Sequence, residues 1–353
     1  LLICINHQSL IATKANRIVR AAEGRPVMEF GSRRAQGFDG AVYGARAAYI
    51  GGCCGTACTI SDKLMGTPAL GTMAHSWIQM FDSELEAFRA YAKCYPKGTT
   101  LLVDTYNVLK SGVPNAITVF KEMRARGEEP AGIRIDSGDI TYLSKRARQM
   151  LDDEGFPNVK IVASNSLDEY IIRDLLLQGA KLDSFGVGER LITSRSEPVF
   201  GGVYKLAAVE KDGEIIPKIK VSENVAKITN PDFKTVWRLY DCSSGKAIAD
   251  VLTCADETID ESRPYEIFDP EHTYKRKMVT NFRAEKLMKR IFDNGKCVYT
   301  SPSAEQIKQF CAEQIDMLWD ELKRFEYPHK YYVDLSPKLW KKKNELLEKA
   351  MAL

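Results

Sequence analysis

The sequence predicts an α/β protein: an incomplete TIM-like (β/α) barrel, followed by a smaller β-rich domain and C-terminal helices. Three observations carry this reading. Short apolar runs ending in polar or glycine-rich turns recur seven times, at 27–30, 47–50, 68–70, 99–103, 132–135, 159–163 and 182–185, with helical patterns between them. Alternation of strand and helix about every 25–30 residues is the signature of a parallel sheet. Nearly all the chemically distinctive residues follow these runs, so they converge on the rim where α/β folds bind ligands. After residue 200 the texture changes to alternating runs at 204–209, 215–221 and 236–240, joined by turns such as Lys211-Asp212-Gly213.

Composition narrows the field. The chain has 353 residues, 44% hydrophobic and 27% charged, enough for one large domain and a smaller companion. A net charge of +3 over this length gives no sign of the concentrated basic patches that nucleic acids require. The 9 cysteines, an odd number in largely apolar contexts, read as reduced thiols and imply a cytoplasmic protein. No Cys/His spacing resembles a zinc site. No apolar run reaches the roughly 18 residues of a membrane span, so no membrane partner is expected.

Residues 1–24 read as a helix that starts in mid-pattern (Leu2, Ile5, Ile11, Ala15, Ile18) and without Met. We therefore expect 1–26 to be what remains of a longer N-terminal region, 27–200 the barrel, and 201–353 the β-rich segment with its helices. Helices are predicted over 76–93, 113–126, 140–154 and 167–178 from apolar residues three and four apart. Helices are also expected at 303–326 and 336–352, the latter with a basic run at Lys341–Lys343 read as a solvated face.

The central stretch is 132–139. Ile133 and Ile135 suit a buried strand and Arg134 points to its other face. The strand breaks into Asp136-Ser137-Gly138-Asp139 before a helix. The competing reading makes Asp136 a turn former and Asp139 an N-cap. The same rim gathers Arg33, Arg34, a glycine turn at 51–55, His75, Asp104, Ser164, Asn165 and Gly186-Val187-Gly188. Glycine turns before helices bind anions through backbone N–H groups. Arginines suit phosphate or carboxylate oxygens, and the aspartates suit ribose hydroxyls or Mg²⁺. The set suggests a large, anionic sugar-phosphate substrate without naming a reaction. His75, at a helix start after a Gly-Thr turn, is a candidate nucleophile or general base. The competing reading is a structural hydrogen bond.

Residues 29–37 (Glu-Phe-Gly-Ser-Arg-Arg-Ala-Gln-Gly), 71–76 (Gly-Thr-Met-Ala-His-Ser), 134–139, 185–188 and 201–206 occur in the order and spacing of nicotinate phosphoribosyltransferases, and the resemblance covers nearly the whole chain. It implies an incomplete α/β barrel that joins nicotinate to phosphoribosyl pyrophosphate, giving nicotinate mononucleotide and pyrophosphate. ATP would be a co-substrate, coupled through a phosphorylated histidine, with Mg²⁺ as cofactor and a homodimer as the assembly. On this resemblance His75 is the phosphorylated residue. Phe30 stacks on the pyridine ring, Arg134 and Thr72 contact nicotinate, and Arg33 meets phosphate. Asp136 lies near the ribose, and Gly186 and Gly188 form the phosphate turn. The rim residues themselves add Asp139, Ser164, Asn165 and Glu189 to the expected substrate-binding set, place Arg134 and Asp136 with His75 as catalytic candidates, and offer Asp136 and Asp139 for Mg²⁺. Glu189 departs from the Thr of some members, and it would repel phosphate unless turned away or paired with a cation. The family's N-terminal Tyr-x-Leu-Thr-Met segment is also not seen. Ala57, aligned where the nicotinamide-specific relative has Asp, favours nicotinate over nicotinamide.

Three rivals stay open. A nicotinamide or quinolinate phosphoribosyltransferase would share the fold. A sugar-phosphate aldolase would need a Schiff-base lysine at a strand end, and none is found there. A non-enzymatic homologue with a defective site is the third.

Overall fold

The computed structural model describes residues 1–223 and 227–352. It divides into two compact units, Leu1–Gly202 with Pro302–Ala312, and Val203–Ser301 with the residues from Glu313 onward.

The first unit opens with helix α1 (Leu2–Ala21), which buries Ile11, Ala15 and Ile18 along one face. Strands β1 (Val27–Glu29), β2 (Gly55–Thr56), β3 (Thr100–Leu102), β4 (Gly132–Ile135), β5 (Lys160–Ser164) and β6 (Ser184–Val187) form a parallel sheet in the order β2-β1-β6-β5-β4-β3. Helices α2 (Phe38–Ile50), α3 (Thr59–Met65), α4 (His75–Gln79), α5 (Glu84–Cys94), α6 (Val113–Ala125), α7 (Ile140–Asp153), α8 (Glu169–Leu177) and α9 (Glu189–Ile192) connect the strands. A six-stranded parallel sheet connected by helices bears out the α/β class, and its order is compatible with an incomplete (β/α) barrel open between β2 and β3. A single parallel bridge from Thr56 to Ala69 extends the sheet beyond β2. Because every strand runs the same way, all the strand C-termini fall on one rim. Leu101, Ile133, Ile135, Ile161, Ala163 and Phe185 lie in register on the face opposite Arg134 and are fully buried, and Leu102 and Val162 on the Arg134 face are buried as well, the apolar content expected of parallel strands covered on both faces.

Four expectations are corrected. Residues 47–50 are not a strand but the last turn of α2, whose buried Ala41, Ala45, Ala48 and Tyr49 follow the helical period. The strand comes after the glycine turn, at Gly55–Thr56, so the turn at 51–55 enters β2 from the opposite rim and does not belong to the site. The helix expected over 76–93 is two, α4 and α5; Ser83 N-caps the second by accepting from Glu86 N at 3.2 Å. The run at 68–70 contributes only the bridge at Ala69.

α1 is anchored to α8 by Glu169, 1% exposed, which receives Lys14 Nζ at 2.7 Å and Arg17 Nε at 2.9 Å. α8 is itself capped by Asp168, which accepts from Tyr170 and Ile171 N–H and pairs with Arg190 of α9. Burial opposes the charge on Asp168, yet the Ile171 N–H and the Arg190 guanidinium prevail and hold its pKa below the ordinary value.

The second unit contains the hairpin β7 (Ala208–Lys211) and β8 (Glu214–Pro217), shorter than the expected 204–209 and 215–221. β9 (Lys234–Asp241), β10 (Ala247–Cys254), β11 (Tyr265–Phe268), β12 (Arg276–Val279), β13 (Phe282–Lys286), β14 (Phe292–Asp293) and β15 (Lys296–Cys297) follow. Then come α10 (Ala304–Asp316), whose first residues group with the first unit, β16 (Val333–Leu335) and α11 (Pro337–Met351). A four-stranded sheet in the order β13-β9-β10-β16 buries Trp237, Leu239, Ala249, Val251 and Phe282. The basic run on α11 is only partly solvated. Lys342 pairs with Asp232, and Lys343 Nζ donates to Asn230 Oδ1 at 2.9 Å.

Asp168 joins a cap to a partly buried ion pair, so Asp168→Ala should cost about 2 kcal/mol or more in urea unfolding. Asp168→Asn, which can still cap, should recover part of that loss. Equal stability of wild type and Asp168→Ala would refute the role assigned to this residue.

Candidate active site

Arg134 is the hub of the rim. It sits on β4 in register with Val162 of β5 and Leu102 of β3, so its side chain rises between neighbouring strand ends. Its Nε donates to Ser164 Oγ at 2.8 Å, Nη1 to Thr72 Oγ1 at 2.9 Å and Nη2 to Asp136 Oδ1 at 2.7 Å. The guanidinium carbon lies 5.4 Å from the centroid of the Phe30 ring, a cation–π distance. The planar fork carries its donors on three separate nitrogens and so spans these three groups; a lysine ammonium offers all its donors from one atom.

Phe30 follows β1, and its N–H donates to Val187 O at 2.8 Å. Its ring packs directly over Gly186, where an added Cβ would come within 2.4 Å of the ring. The glycine at 186 therefore serves close approach of the aromatic within the strand, and Gly188 is the residue that precedes α9.

His75 opens α4, a helix of only 5 residues, so its dipole is small. Side chains from the turns that follow β3 and β4 define the ring's surroundings instead. Nδ1 lies 3.2 Å from Thr105 Oγ1, while Nε2 faces Asp136 Oδ2 at 3.7 Å and Asp104 Oδ1 at 4.0 Å. Asp104 Oδ2 accepts from Asp136 N at 2.9 Å and Ser137 Oγ at 2.6 Å, which fixes the turn after β4. Asp104 Oδ1 is buried with no hydrogen-bond partner.

Asp136 is the link between the two clusters. Burial works against its charge. The hydrogen bond from Ser164, the charge and hydrogen bond of Arg134, and the nearby His75 outweigh burial and hold its pKa below the ordinary aspartate value.

The remaining candidates divide. Thr72 and Ser164 lie in the Arg134 cluster. Arg33 and Arg34, on a short 3₁₀ turn, are exposed and make no ion pair among the described residues. Asn165 has φ 80° and is exposed beside Ser164. Asp139 is exposed and caps α7, accepting from Tyr142 N at 2.9 Å. Glu189 is exposed and lies 3.7 Å from Arg195, the cation partner its position called for. Cys53 is buried, and burial raises its thiol pKa, which makes it a poor nucleophile.

Sequence reasoning missed Thr105, Glu29 and Thr56. Thr105 carried no signal of its own. Glu29 did, because it shares a strand face with the buried Val27 and is a carboxylate where an apolar residue is expected.

No helix among the described residues is long and apolar enough to cross a membrane. Nor is any group of three or more His, Cys, Asp or Glu side chains among them arranged to hold a metal ion.

A depressed carboxylate pKa stabilises the fold above the unfolded pKa and loses that contribution as pH falls through the folded one. The stability difference between wild type and Asp136→Asn should therefore be constant above about pH 5 and shrink as pH falls below the ordinary aspartate range near 4. Urea unfolding of both proteins across pH 2.5–7 measures it. A gap that widens on acidification would contradict the assignment.

Comparison with known proteins matches this geometry to one family. Residues 233–343 match the family described as nicotinate phosphoribosyltransferase C-terminal domain. A nicotinate phosphoribosyltransferase of Bacillus subtilis is 43% identical over 343 residues, covering 97% of this chain and 70% of that protein. One from Dictyostelium discoideum is 35% identical over 394 residues, covering 96% of this chain and 66% of that protein. The chain thus spans about two thirds of the length of these relatives. The crystal structure of human nicotinic acid phosphoribosyltransferase superposes with a TM-score of 0.83 at 25% identity, covering 98% of this chain and 75% of that one. The chain belongs to the nicotinate phosphoribosyltransferase family.

Proposed function

We propose that this chain catalyses transfer of the phosphoribosyl group of phosphoribosyl pyrophosphate to nicotinate in NAD biosynthesis. The observation that carries this reading is the Arg134 guanidinium, oriented by Thr72, Ser164 and Asp136 beside the Phe30 ring. A flat aromatic carboxylate needs both features: a ring to stack on and a fork of donors for its oxygens.

In the reaction the pyridine nitrogen forms a bond to the ribose anomeric carbon as the bond from that carbon to pyrophosphate breaks. The electron pair of the broken bond leaves with pyrophosphate. Phe30 and Arg134 orient the ring, which converts an encounter into a positioned displacement. The exposed Arg33 and Arg34 suit the leaving-group oxygens. Of the two glycines expected in a phosphate turn, Gly186 instead lies within β6 under the Phe30 ring, and Gly188, between β6 and α9, is left as the candidate for close approach of the 5′-phosphate. Glu189 lies near Arg195, which offsets the repulsion its charge would otherwise exert there.

Mg²⁺ bound with a phosphate substrate takes one or two carboxylates, substrate oxygens and water, and would neutralise leaving-group charge. Asp104 Oδ1, buried and unpartnered, and Asp136 Oδ2 fit that demand; Asp139 is already committed as the α7 cap.

His75 is the proposed site of phosphorylation by ATP. In that step its nitrogen forms a bond to the γ-phosphorus as ADP leaves, and hydrolysis of the phosphoramidate returns the free ring. The ring lies within 4.0 Å of both Asp104 and Asp136, so an added phosphoryl group would change the charge beside the pyrophosphate site. We place the protein in the cytoplasm, acting as a homodimer.

The test incubates the protein with phosphoribosyl pyrophosphate, Mg²⁺ and ATP, with nicotinate or nicotinamide. Nicotinate mononucleotide should form and the nicotinamide product should not, and Ala57→Asp should lose nicotinate turnover by about tenfold or more. ATP stimulation should vanish in His75→Ala. Turnover of nicotinamide by the wild type would move the reading to the amide-using enzyme. No product from either would refute it.

A further inference from the structure

Behind Phe30 lies a group that the catalytic reading does not use. Glu29 is fully buried in β1, in register with Thr56 on one side and Val187 on the other. Its Oε1 accepts the N–H of Gly31, and its Oε2 accepts Thr56 Oγ1 at 2.6 Å. Thr56 Oγ1 in turn accepts from Cys58 N at 2.9 Å. A carboxylate in a sheet interior costs several kcal/mol of desolvation unless its oxygens are satisfied. Val27 shows that the same strand face accepts an apolar side chain, so filling space does not require Glu29.

What the carboxylate does that an apolar residue could not is hold the Gly31 amide. Gly31 is where the chain leaves β1 and enters the 3₁₀ turn Ser32–Arg34. It is wedged against α9 and the turn before it; a Cβ there would lie 2.6 Å from Ile192 Cβ and 2.7 Å from Gly188 O. The residue on one side of Gly31 is Phe30, which faces Arg134, and two residues beyond lies Arg33. One carboxylate thus fixes the backbone joint between the aromatic and the arginines.

We infer that Glu29 is a positioning residue: through the Gly31 N–H it sets the Phe30 ring against Arg134 and aims Arg33 at the substrate phosphate, so that it governs substrate affinity without touching substrate. This rests on the proposed nicotinate reading.

The decisive variant keeps the length of the side chain and removes its acceptors. Gln would not do this, because its carboxamide oxygen can accept the Gly31 N–H while its N–H₂ donates to the Thr56 hydroxyl oxygen. Glu29→Met should raise KM for nicotinate by about tenfold or more while kcat changes less than about threefold. Glu29→Asp, which keeps the charge but retracts it by one methylene, should also raise KM. The control is Glu169→Gln, another buried carboxylate of the same unit with partners on α1; it should lower Tm with KM unchanged.

Steady-state kinetics and thermal unfolding of the four proteins decide the matter. Unchanged KM in Glu29→Met and Glu29→Asp would overturn the inference, as would an equal KM rise in Glu169→Gln, which would show that lost stability is the cause. If Glu29→Met does not fold, Glu29→Asp carries the test alone. A wild-type protein inactive on nicotinate refutes the functional reading rather than this one, since the comparison of variants then has no baseline.

Discussion

The guanidinium of Arg134 is a charge brought to the edge of a nearly dry sheet interior, with its side chain only 15% exposed. Such a charge is tolerated when it is paired and its donors are used. Here the partners come from three separate segments: Thr72 from beyond β2, Asp136 from the end of β4 and Ser164 from the end of β5. Each reaches Arg134 because parallel strands in fixed register deliver their C-termini to the same height. A slip of one residue in β4 would turn Arg134 to the other face and bring Ile133 or Ile135 to the rim. The register of the sheet and the orientation of the arginine are therefore one constraint.

The carboxylates form a second tier around it. Asp136 neutralises Arg134 and points its other oxygen at His75. Asp104 holds the Asp136-Ser137 turn from β3 and leaves one buried oxygen without a partner. Glu29 performs the corresponding service for the Phe30–Arg33 turn. Asp104 and Glu29 thus act on the backbone of strand-end turns and Asp136 on side chains, and the groups the three steady are the ring, the arginines and the histidine. An orphaned buried acceptor such as Asp104 Oδ1 is costly in an isolated protein. It is the kind of defect that a site retains for something it binds, and a cation shared with a phosphate substrate would satisfy it.

Much of this was legible in the chain because the features involved are local. Alternating Ile133-Arg134-Ile135 followed by an Asp-rich turn reports a strand end without knowledge of its neighbours. The helix periods at 113–126, 140–154 and 167–178 survive as α6, α7 and α8. What failed was context. Ala47–Ile50 is apolar enough for a strand, but Ala-rich segments bury equally well in helices, and only the packing of α2 decides between the two. Glu29, Thr56 and Thr105 act through partners 2, 27 and 30 residues away, and pairings of the longer kind are set by strand register rather than by neighbouring sequence. Asp139 shows the converse. Its capping reading needed only the next three residues, and the hydrogen bond to Tyr142 is there.

The central claim is that Arg134 binds a carboxylate through its forked donors, not merely through its charge. Calorimetric titration of nicotinate into wild type and Arg134→Lys tests it most directly, because lysine keeps the charge and loses the fork. The account predicts a loss of about tenfold or more in affinity, the scale of one charged hydrogen bond left unmade, with the fold intact by circular dichroism. Equal affinity in the two proteins would contradict it.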